Sequence, residues 1–96
     1  MEYDVVVWRG TLSDGSTCYA AICPSVDHAH GQGDTENDAL VDVADTMAIY
    51  LDHKPERFKT GKAAQDAIRR LTDELAENGT ACWVKRVAPA RNQVPA

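Results

Sequence analysis

Ninety-six residues, 44% hydrophobic and 26% charged, are enough for one ordered domain and no more. A chain of this length supports a single core that buries about 60–65% of its unfolded surface. The net charge is −5, and no apolar run approaches the roughly 18 residues of a membrane helix, so no membrane association is expected.

In chain order, Tyr3 to Trp8 is dense in β-branched and aromatic residues, with Val5, Val6, Val7 and Trp8 in succession, and reads as a strand. Gly10 to Ser16 contains Ser13-Asp14-Gly15 and reads as a turn. Cys18 to Cys23 is the second strand, stopped by Pro24, which cannot donate to a ladder. Ser25 to Gln32 is the third. Alternation along it would put Val26, His28 and His30 on one face and Asp27, Ala29 and Gly31 on the other. Short connections between the three strands predict an antiparallel meander.

Gly33-Asp34-Thr35 ends the sheet and opens a helix. Thr35 is the expected N-cap, with Asp38 three residues on and able to reach back. Leu40, Val43, Ala44, Met47 and Leu51 follow helical spacing, and Val41 and Ala48 widen the stripe. The helix should run to about His53, ahead of Pro55. A second helix fits Gly61 to Glu77, with Ala64, Ala67, Ile68, Leu71 and Leu75 on its apolar face and Asn78-Gly79 as its stop. Ala81 to Val87 is the last strand. The fold class is therefore α+β, in the order β-β-β-α-α-β, with both helices on one face of the sheet. Residues 1–88 form the single domain, and 89–96, with Pro89, Asn92 and Pro95, form a disordered tail.

Charge is unevenly spread. Residues 1–53 hold ten acids against one basic residue, Arg9. Residues 54–70 reverse this, with Lys54, Arg57, Lys59, Lys62, Arg69 and Arg70 against Glu56 and Asp66. An acidic half repels nucleic-acid backbones and attracts basic partners. The N-terminus lacks the basic flank and apolar stretch of a secretory signal, so a cytoplasmic location is expected.

Chemistry is sparse. Cys18, Cys23 and Cys82 are odd in number and lack paired-ligand spacing, which suits small strand thiols better than a metal site with His28 and His30. Asp38, Asp42 and Asp45 share one helix surface instead of converging from separate elements, so metal-dependent phosphodiester cleavage is not expected. Cys23 and His28 lack an orienting third group for nucleophilic catalysis. Gly31-x-Gly33 lacks the third glycine of a dinucleotide loop. Trp8 and Trp83 suit core or subunit-contact roles better than a ligand pocket. No enzyme, cofactor or metal is expected.

Tyr19-Ala20-Ala21-Ile22-Cys23-Pro24, then Gly31-Gln32-Gly33-Asp34-Thr35, Ala39-Leu40 and the helix ending Tyr50-Leu51 occur in an order that resembles the HicB-type antitoxin family over residues 3 to 53. The resemblance implies a partial ribonuclease-H-like core and neutralisation of a small, basic, RNA-cleaving HicA-type toxin by direct contact. Two departures are visible. Asp27-His28-Ala29 stands where members often carry a Pro-Gly-Cys-like element, and the usual C-terminal DNA-binding module is not recognisable, so DNA binding is not expected. On this reading Asp38, Asp42 and Asp45 would steer the toxin, and Asp27, His28 and Gln32 would make edge contacts. The alternative is an orphan domain of the same fold that self-associates, as a homodimer or larger homo-oligomer, with no toxin partner.

Overall fold

The computed structural model describes residues 2–26, 28–53, 59 and 61–90. The order is β1 (Tyr3–Thr11), β2 (Thr17–Cys23), β3 (Ala29–Gly33), α1 (Glu36–His53), α2 (Gly61–Glu77) and β4 (Cys82–Val87). The strands form one antiparallel sheet in the order β3-β2-β1-β4. This is the expected α+β architecture and element order.

The helices explain why β4 runs against β1. A single crossover helix would return the chain parallel to β3. The second helix adds one more reversal, so β4 arrives antiparallel beside β1, with Val6 opposite Val84 and Val7 opposite Trp83.

The main core lies under α1. Val5 and Val7 of β1, Ala21 and Cys23 of β2, Val26, Ala29, and Ala39, Val43 and Met47 of α1 are all fully buried. Burying each of the larger aliphatic side chains contributes roughly 1.5–3 kcal/mol. Close approach is built into β3. A Cβ on Gly31 would lie 2.3 Å from the Val43 nitrogen, and one on Gly33 would lie 2.4 Å from the Asp38 Cβ. Only glycine lets α1 sit this near the strand.

The caps follow the expected local chemistry. The Asp38 N–H donates to the Thr35 hydroxyl at 3.1 Å, and the Ala39 N–H donates to the Thr35 carbonyl. At the end of α2, Gly79 adopts φ +75°, the Thr80 N–H bonds the Leu75 carbonyl, and the Gly79 N–H bonds the Ala76 carbonyl. These paired bonds satisfy the last carbonyls of the helix.

Four sequence expectations need correction. The first is the face of α2, which lies across the sheet from α1. Asp4, Val6 and Trp8 alternate with Val5 and Val7 and so point away from α1. Val6 nevertheless has 0% exposure, and α2 lies beside Asp4 and Arg86, where Ala64, Gln65 and Ile68 join them in a groove of about 320 Å³. No residue of α2 is fully buried, so this second layer is the lighter one.

The second correction is β3, which starts at Ala29, not Ser25. Pro24 and Ser25 lie in a turn, closed by the Val26 N–H to the Cys23 carbonyl and the Ala29 N–H to the Val26 carbonyl. The turn resets the alternation, so Val26 and Ala29 both enter the core. Third, Val41 does not widen the buried stripe: it is 55% exposed. Fourth, Pro89 and Ala90, expected in the tail, are half-buried, and the Ala90 N–H donates to the Ala44 carbonyl at 3.0 Å. The rest of that expected tail, 91–96, lies outside the described residues.

Candidate functional site

The outer face of α1 carries the expected acidic set. Asp38, Asp42 and Asp45 recur at helical spacing and are all exposed, as is Asp52 further along. Asp38 and Asp42 flank the face that Gly31 and Gly33 hold against β3, so their side chains are exposed beside the strand edge. Between the carboxylates stand Val41 and Ile49, each 55% exposed. The surface is therefore a mixed ridge of carboxylates and aliphatic side chains.

Asp42 also has a task inside the chain. Its carboxylate accepts the backbone N–H of Gln32 at 2.9 Å. β3 is an edge strand, so Gln32 has a β2 neighbour, Ala20, on one side only. The bond brings two of the expected site residues together.

His28 is placed elsewhere. It sits in the β2–β3 turn with φ +58°, a left-handed conformation uncommon outside glycine, and its side chain is exposed. It lines a groove of about 460 Å³ beside α2 with Lys59, Asp66, Arg70, Leu71 and Glu74. That groove is on the α2 side of the sheet and contains none of the α1 carboxylates. Its own charges are mixed. Asp66 is paired with Arg69 at 2.7 Å along the helix. Asp27 lies outside the described residues.

Glu36 was not singled out in the sequence, yet it joins α1 to β4. Its Oε1 accepts the Trp83 indole N–H at 3.4 Å and lies 3.5 Å from the Lys85 Nζ. Trp83 packs edge-on to Tyr19, with ring centroids 6.4 Å apart. Trp83 is therefore occupied within the fold. Trp8 is half-buried on the α2 side, between Ala20 and Cys82.

The thiols differ in setting. Cys23 is fully buried, and burial pushes its pKa up to about 11, against the smaller opposing effect of the Val26 and Ser25 backbone amides. Cys18 and Cys82 are half-buried. Among the described residues, no three His, Cys, Asp or Glu side chains are grouped to hold a metal ion, and no helix is long and apolar enough to cross a membrane. Compared with known proteins, the chain matches no family model, no curated protein and no solved structure.

Proposed function

We propose that this chain is a non-catalytic protein-binding module of the HicB antitoxin type. It would neutralise a small, basic, RNA-cleaving toxin in the cytoplasm by covering the toxin's RNA-binding surface. One observation carries the reading: the outer face of α1 combines Asp38, Asp42 and Asp45 with the exposed Val41 and Ile49. Carboxylates speed the approach of a basic partner, and aliphatic side chains that lose water on contact slow its release. Gln32 lies at the neighbouring strand edge and would contribute from there. His28, on the α2 side, would join only if the partner wraps the β2–β3 turn.

The test is co-expression with a short basic ribonuclease encoded beside the gene, with growth and RNA integrity as readouts. The wild-type chain should protect, and binding should weaken as salt rises. A folded Val41→Glu/Ile49→Glu double variant should not protect. Full protection by that variant would sink the assignment to this face.

The alternative is an orphan domain that self-associates. The observation favouring it is the outer edge of β4, which no described strand pairs.

A further inference from the structure

The sheet has two edges, and they are finished differently. At β3, Asp42 takes the Gln32 N–H and α1 is seated directly on the strand. That edge is capped at Gln32 by the chain itself. At β4, the inner side pairs with β1 over Tyr3–Trp8, and no described strand pairs with the outer side. Alternate residues of β4 therefore turn their N–H and C=O groups outward. Such a row is a template for another strand.

Edges are commonly protected by proline, bulges or bare positive charge. β4 reads Cys-Trp-Val-Lys-Arg-Val and contains no proline. Its two cations are answered within the chain: Lys85 lies 3.5 Å from Glu36, and the Arg86 Nε lies 3.7 Å from Asp4. At the centre of the strand stands Val84, 46% exposed on the α2 side.

We propose that the outer edge of β4 pairs antiparallel with β4 of a second copy, about a two-fold axis through Val84. This pairing would make one continuous sheet across the dimer, with α1 of both copies on the same side. Charge excludes the registers centred on Lys85 and Arg86, and Val84 is preferred to Trp83 as the centre because it is exposed while Trp83 is held to Glu36 and Tyr19. Centred on Val84, the pairing sets Lys85 opposite Trp83 of the second copy and Arg86 opposite Cys82. No like charges face each other, and the two valines meet on one face. Centred on Lys85, the same strands would oppose lysine to lysine. The β3 edge is the poorer template, because its Gln32 amide is spent on Asp42 and α1 is seated against the strand. The inference rests on the self-association reading alone, so failure to bind a toxin leaves it standing.

The experiment uses the full chain. Sedimentation or light scattering across a concentration series should show a monomer–dimer equilibrium. Val84→Lys should weaken it at least about tenfold and leave the circular dichroism spectrum unchanged. In a Cys18→Ser/Cys82→Ser background, Val84→Cys should form a covalent dimer on mild oxidation, because residues facing each other on such an axis have Cα atoms about 4.5–5.5 Å apart, within disulfide reach. Leu12→Cys, on the 49%-exposed hairpin residue, is the control and should not crosslink. A chain that stays monomeric throughout overturns the proposal. So does a dimer that tolerates Val84→Lys and crosslinks no better through residue 84 than through residue 12.

Discussion

Asp42, on a helix, accepts the backbone N–H of Gln32, on the sheet's edge strand, at 2.9 Å. The same carboxylate therefore faces outward as a charge and inward as a strand cap. Asp42→Ala should cost about 1 kcal/mol, below the usual range for a charge-assisted bond because the position is exposed. Amide exchange at Gln32 should accelerate by more than global destabilisation explains. Unchanged protection at that amide would remove the capping role. A binding defect in this variant cannot be credited to lost steering alone, so Asp45→Asn is the cleaner probe of charge.

Gly31 and Gly33 set the depth of α1. Gly31→Ala would push a methyl against the backbone of Val43, Ala39 and Asp42, none of which can swing aside. A loss of about 3 kcal/mol or more is expected, enough to unseat the helix. Gly10→Ala should be close to neutral, since the nearest atom to its added Cβ is the Cys18 sulfur at 3.9 Å. Thermal melts of the two variants should separate by many degrees. Equal melting would mean that α1 can lift from β3 without cost.

Cys23 predicts an alkaline limit. Its thiol ionises near 9.0 in an exposed chain and near 11 when buried. Above pH 9 the unfolded chain releases a proton that the folded chain retains, so stability is lost as pH rises from 9 to 11. Chemical denaturation across that window should show a shallower pH slope for Cys23→Ala than for the wild type. The variant itself will be less stable at every pH, so the slope is the readout. Under native conditions Cys18 and Cys82 should alkylate well before Cys23.

α2 should open before α1. Its apolar residues are only half-buried, whereas Ala39, Val43 and Met47 of α1 are fully so. Hydrogen exchange should show α2 amides released through a lower-energy opening that leaves α1 protected. Correspondingly, Met47→Ala should cost about 2–5 kcal/mol and Ile68→Ala clearly less. Equal protection in the two helices would contradict this ordering.

What the sequence makes legible is mostly local. Thr35 and Gly79 announce helix ends because capping depends on neighbours a few residues away, and both caps form. The Val5-Val6-Val7-Trp8 run held a further message that alternation rules passed over. A strand apolar on both faces is a strand covered on both faces. It pointed to a helix on each side of the sheet. Val41 lies outside the buried arc of α1, which Ala39, Val43 and Met47 occupy. The Asp42–Gln32 and Glu36–Trp83 contacts could not be read in advance. They depend on how elements are brought together, and nothing in residue type or spacing announces them. A regular strand would carry His28 toward the acidic surface, but the turn at Pro24 and Ser25 takes it to the α2 side.

Glu36 stands at the first turn of α1, and both its partners, Trp83 and Lys85, belong to the final strand. The first helix is thus fastened by a strand 47 residues further along the chain. During synthesis, β1 to β3 and α1 can gather only into a provisional arrangement, with Val6 and Trp8 waiting for cover. Completion then depends on a strand whose contacts span most of the chain, a topology that slows folding and favours a single cooperative step. Constructive engineering should respect this order: a fusion or truncation just before Cys82 would release the anchor at the start of α1 as surely as it removes a strand.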